Sequence, residues 1–214
     1  MKPFIPALTA AVLFSATAVF AQDKVPLQTQ LPTPLFVGTP VPINVPNLEP
    51  AQKGKRPDFL VPAGTVNLAK GKKVTASDKE PVVGTTDLVT DGDKEGDEGS
   101  WIELAPGKQW VQIDLEKSAE IYALLVWHFH SQARVYRDVV VQVSDDPTFS
   151  KDVTTIFDNT ADTGKDKAYI ETYQGKLIDA KGVKGRYVRL YSNGNTTNKM
   201  NHYIEVEVFG KPAA

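Results

Sequence analysis

Between residues 67 and 210, apolar side chains recur at every second position in short runs, and turns rich in glycine and aspartate separate the runs. A period of two matches the pleat of a β-strand, whose alternate side chains face opposite sides of a sheet. In QWVQIDL (109–115), Val111, Ile113 and Leu115 share one face while Gln112 and Asp114 take the other. DVVVQVS (138–144) groups Val139, Val141 and Val143, and RYVRLYS (186–192) groups Val188 and Leu190. HYIEVEVFG (202–210) groups Ile204, Val206 and Val208, with Glu205 and Glu207 opposite. EIYALLVWHFH (120–130) is apolar on both faces, as in a central strand covered on both sides. No long amphipathic helix and no internal repeat emerge. The pattern predicts an all-β fold of two stacked sheets whose inner faces bury the alternating residues.

Upstream the texture changes twice. Lys2 precedes an apolar run that ends in Val19-Phe20-Ala21, with small residues at −3 and −1. This predicts a secretory signal peptide over 1–21, cleaved before Gln22, and hence a secreted or periplasmic protein. A membrane anchor is the alternative, but the run is short and no basic stop follows it. Residues 22–66 form a proline-rich arm in which proline recurs from Pro26 to Pro62. Proline fixes φ and lacks an amide donor, so an extended, semi-rigid segment is expected. Leu35, Phe36, Val37, Val41, Ile43 and Val45 are too apolar for a purely solvated spacer. Part of the arm is therefore expected to lie against the domain at 67–210, or against a partner. Residues 211–214 read as a tail.

The chain has 214 residues, a formal net charge of −2 and no cysteine. No basic tract points to nucleic acid or to an anionic membrane surface. An exported chain without cysteine has no disulfides, so a packed core, with or without a metal, must hold it.

Six fragments then occur in a telling order: NLAKGKKVTAS (67–77), LVTDGDKEGDEGSW (88–101), QWVQIDL (109–115), VVVQVSDDPTF (139–149), GRYVRLYSNG (185–194) and YIEVEVFG (203–210). Together they resemble the discoidin family, the coagulation factor V/VIII type C domains. The resemblance implies an eight-stranded-type jelly-roll β-sandwich with the galactose-binding-like topology, which many carbohydrate-binding modules share.

The candidate chemistry is acidic and imidazole-based. Residues 87–103 concentrate Asp87, Asp91, Asp93, Glu95, Asp97, Glu98 and Glu103, and oxygen donors at this density suit calcium. The D-G-D-K-E-G start imitates an EF-hand, but its twelfth position is Ile102 and no helices flank it. The family resemblance implies a different calcium site, made by Asp91, Asp93, Ser100 and Glu205; a solvated acidic turn is the alternative. His128 and His130, two apart in VWHFH, could chelate zinc or copper with His202 or a carboxylate as a third ligand. The resemblance instead implies a sugar site drawing on His128, His130, Arg134 and Tyr136, in which imidazole and guanidinium donate to hydroxyls and an aromatic face packs on a sugar ring. A third reading keeps both histidines structural.

No G-x-S-x-G, H-E-x-x-H, phosphate loop or nucleophilic cysteine is present. The expectation is an exported, non-catalytic binding module for a glycan, with structural Ca2+. The alternative is an adhesive envelope protein that binds another protein through the sandwich and the arm.

Overall fold

The computed structural model describes residues 23–212 apart from 40, 53 and 163. The segment expected to be a signal peptide, 1–21, lies outside the described residues. Eleven strands follow one another: β1 (Lys24–Pro26), β2 (Leu60–Pro62), β3 (Val66–Asn67), β4 (Val74–Ala76), β5 (Ile102–Leu104), β6 (Gln109–Trp127), β7 (Val140–Ser144), β8 (Thr154–Asp158), β9 (Lys176–Ser192), β10 (Asn201–Tyr203) and β11 (Glu205–Pro212). Among the described residues the sole helical element is a 3-10 turn at Thr86–Val89. All ladders between named strands are antiparallel.

The protein is a jelly-roll β-sandwich, and two long strands explain how. The first half of β6 pairs with the last third of β9, which carries β7 and then β8. Its second half pairs with the start of β9 on one side and β11 on the other. Between the halves the register shifts, from Asp114 to Ala119 and again from Ile121 to Ala123. Glu116 (φ 69°), Lys181 (φ 55°) and Gly182 (φ 76°) supply the left-handed residues of this bend. The halves close on one core, where Val111, Ile113 and Leu190 meet Leu124, Val126 and Val208. Each such side chain contributes about 1.5–3 kcal/mol when fully buried, which is how a chain without disulfides holds its layers together.

The strand pattern differs from the sequence expectation in three places. Stretches 109–115 and 120–130 belong to one strand, because β9 offers a continuous partner across the gap. That strand stops at Trp127, so His128 and His130 fall in the following loop rather than on the sheet. The run 202–210 divides at Ile204. Asn201–Tyr203 pairs with β5, whereas Glu205 onward pairs with β6, and this moves Ile204 away from Val206 and Val208 to the opposite face.

The outer face of the β6–β11 ladder is also apolar. Ala123, Leu125, Trp127, Ile204 and Phe209 form a second buried cluster, and Leu27 and Phe59 pack on it. Those two residues belong to the arm. Its strands β1 and β2 pair with each other, and the Leu27 amide donates to the Phe59 carbonyl at 2.7 Å. Farther along, the Val37 amide donates to Ser131 O (2.6 Å) and the Glu49 amide to Ala168 O (2.8 Å). The arm thus forms a third layer, and it accounts for a strand that reads apolar on both sides. Leu27 and Phe59 cover the cluster and Pro32 and Val61 are buried as well, whereas Leu35, Phe36, Val37 and Val41 stay exposed, the last at 72%.

Candidate functional site

The loop that leaves β6 begins in the interior. His128 is fully buried; its Nδ1 lies 2.7 Å from Glu171 Oε1, and its ring stacks on Tyr136 at 4.4 Å. The Tyr136 hydroxyl donates to His202 Nδ1 (2.8 Å), and His202 Nε2–H donates to Glu103 Oε2 (2.9 Å). Burial, reinforced by Arg134 and His128, lowers His202 from 6.5 to about 3, so the ring is neutral at pH 7 and can accept from Tyr136. Burial also lifts the Tyr136 hydroxyl well above its usual range. His130 turns the other way and donates from Nε2 to the Lys94 carbonyl at 2.9 Å, which anchors the acidic turn. Arg134 lies over the Phe129 ring at 4.3 Å and donates to Gln132 Oε1.

The fold therefore brings His128, Tyr136 and His202 into one network and leaves His130 and Arg134 at its margins. All of them are buried, Arg134 most exposed at 4%. His128 Nε2, His130 Nδ1 and Arg134 Nε have no hydrogen-bond partner among the described residues. The three imidazoles do not converge: no group of three or more His, Asp or Glu side chains among the described residues is placed to hold a metal. Glu171 and Glu103 orient two of the rings; the sequence reading does not single out Glu171 and takes Glu103 only as part of the acidic turn. Both lie outside the period-two runs first identified, and only tertiary packing puts them beside a histidine.

The acidic turn is tied to the last strand. Glu205 is fully buried; one carboxylate oxygen accepts the Gly92 amide (3.1 Å), and the other, Oε1, has no partner among the described residues. Burial, with Glu207 and Asp91 nearby, pushes Glu205 up to about 9 against the opposing Gly92 hydrogen bond. Burial also raises Asp91. Asp93 accepts the Glu95 amide, and Ser100 Oγ donates to its other oxygen at 3.4 Å. Lys94 neutralises Glu207 at 2.8 Å and does not bond to Glu205. A desolvated carboxylate with an empty oxygen is what a cation would correct. Because no three such side chains converge, the rest of a calcium shell would have to be carbonyl and hydroxyl oxygen.

Beside the histidine network lies a cleft of about 920 Å³ between the arm and residues 169–177. The arm contributes Pro34, Leu35, Phe36 and Arg56, and the sandwich contributes His130, Tyr169 and Gln174 among others. Its charged groups are already engaged. Lys176 pairs with Glu49 at 2.7 Å and lies over the Tyr169 ring at 4.6 Å. Arg56 donates to the carbonyls of Gln174 and Gly175, and Glu171 holds His128. Gly175 (φ 64°) must be glycine, since a Cβ there would meet the Trp127 ring at 2.6 Å. That close approach also lets Trp127 Nε1 donate to Tyr173 O, which pins the segment to the sheet.

A family model for the F5/8 type C domain matches residues 73–206, and the chain belongs to that family. Comparison with curated proteins returned no match. Among solved structures the fold is similar to CpGH89 from Clostridium perfringens, in complex with its substrate GlcNAc-alpha-1,4-galactose (TM-score 0.53, 21% identity, 69% of this chain and 15% of that one). It is similar to truncated AlyQ with CBM32 and alginate lyase domains (TM-score 0.51, 16% identity, 70% and 35%). It is also similar to chitosan-binding module 1 of a chitosanase/glucanase from Paenibacillus sp. IK-5 (TM-score 0.51, 24% identity, 67% and 98%). The chain thus spans small fractions of the first two proteins and nearly the whole of the third.

Proposed function

We propose that this protein is an exported, non-catalytic carbohydrate-recognition module with a structural calcium ion. The observation that carries the reading is membership of the F5/8 type C family together with a fold that spans nearly all of a chitosan-binding module. In the two larger neighbours the matching part is a fraction of a longer chain, as expected of an accessory module. Absence of catalysis is supported by the burial of the polar network: His128, Tyr136 and His202 are spent on one another and on Glu171 and Glu103. Imidazoles committed in this way orient a loop rather than move protons to a substrate. His130, which lines the cleft, is the member of the expected sugar site best placed to meet a ligand.

For calcium, Glu205 and Asp91 would supply the charged oxygens, with the Ser100 hydroxyl and carbonyls of the turn beside them, while Asp93 shapes the turn through the Glu95 amide and Ser100. The unpartnered Glu205 Oε1 supports this. The ion would join the acidic turn to the last strand and so take the place of a disulfide.

A second reading, an adhesive envelope protein that binds another protein, is favoured by the exposed apolar edge of the arm at Leu35, Phe36, Val37 and Val41. A glycan array probed with the calcium-loaded chain from Gln22 onward separates the two. Binding to at least one carbohydrate class is expected. A blank array, with an envelope protein captured through the arm, would establish the second reading instead.

A further inference from the structure

We propose that the cleft between the arm and residues 169–177 is the carbohydrate site, that the arm is one of its walls, and that its occupant is an uncharged oligosaccharide. This rests on the reading above that the protein recognises carbohydrate. It goes further by naming where and by excluding charged glycans.

Size comes first. At about 920 Å³ the cleft lies at the upper end of the range typical of ligand sites, roughly 300–1,000 Å³, and is too large for a single sugar ring. Charge comes second. Glu49 meets Lys176, Glu171 meets His128, and Arg56 is held by two backbone carbonyls. The two carboxylates and two cations of the lining, Glu49, Glu171, Lys176 and Arg56, sum to zero, so neither a polyanion nor a polycation finds an excess of opposite charge to repay its lost hydration. Chemistry comes third. Gln174 Oε1 is an acceptor in the sandwich wall with no partner among the described residues, whereas the Tyr169 hydroxyl and the Glu171 carboxylate lie beside each other and can engage one another. Sugar hydroxyls are donors of the kind Gln174 lacks, and the Tyr169–Glu171 pair adds polar character to the same wall. Opposite them, Phe36 is 49% exposed and offers an aromatic face for the apolar side of a pyranose ring.

The arm is preorganised for this role. The Val37 amide bonds Ser131 O at one end of the wall, and Gln174 Nε2 donates to Gly54 O at the other. The Glu49–Lys176 pair closes the middle. A wall that is already fixed costs no ordering entropy when a ligand arrives.

The test uses the calcium-loaded chain from Gln22 onward and four hexasaccharides: cellohexaose and the N-acetylglucosamine hexamer as neutral probes, the glucosamine hexamer as cation and the mannuronate hexamer as anion. Calorimetry should show a neutral hexamer binding at least 10-fold more tightly than either charged one. Phe36→Ala and Gln174→Ala should each weaken that binding by about 10-fold with an unchanged melting temperature. Undiminished binding in both variants, or binding confined to the charged hexamers, would overturn the cleft assignment while carbohydrate recognition stood. Failure of all four hexamers, with a blank glycan array, would overturn both. Should Gln174→Ala unfold, Phe36→Ala decides alone, because its side chain is half exposed.

Discussion

His202 shows how a residue reads one way in sequence and another in place. At the head of a strand it resembles a ligand; in the fold it is a neutral relay between Tyr136 and Glu103. Its folded pKa is about 3 against 6.5 when unfolded. Between those values the unfolded chain binds the extra proton, so stability is present above pH 6.5 and falls as pH drops toward 3. The loss is on the order of a few kcal/mol. Denaturant melts from pH 7 to 4 should show it, and His202→Gln should flatten that slope. An unchanged slope in the variant would mean that the ring titrates freely. Alternation places Glu205 on the strand face opposite the valines, yet its complete burial is invisible in the sequence. Alternation tells which side a residue takes and says nothing about what covers that side.

Elements depend on their partners. The valines of β7 and the alternation in β6 and β9 were legible because the pleat imposes period two whatever lies alongside. Strand lengths were not legible. β6 runs through an apparent break because β9 bends with it, and β10 separates from β11 because β5 claims it. The arm shows the same dependence. Its most conspicuous apolar residues, around Phe36, remain outside, while Leu27 and Phe59 cover Trp127 and Ile204. Phe59→Ala should therefore cost about 1–3 kcal/mol in urea unfolding, as expected for a partly buried aromatic. Val41→Ala, at a 72% exposed position, should change stability by no more than about 0.5 kcal/mol. Equal costs at the two sites would argue against a docked third layer.

At the scale of the whole molecule, stability without cysteine has two supports, the shared core and the proposed ion. If calcium ties the acidic turn to β11, a concentration about 100-fold above its Kd stabilises the fold by about 2.7 kcal/mol and raises the melting temperature by about 5–10 °C. Adding a chelator should reverse that rise, and Glu205→Gln should abolish it; a melting temperature indifferent to calcium would remove the ion from the account. The sequence by itself determined that the chain is all-β, which positions alternate, and which family its fragments resemble, because all three follow from local pattern and order along the chain. Tertiary structure alone decided which carboxylates are buried, that His128 and His202 are spent on internal partners, and that a proline-rich arm walls a cleft. Those outcomes depend on contacts between segments more than a hundred residues apart, such as Glu205 with Gly92 and Gln174 with Gly54, and no local periodicity encodes them.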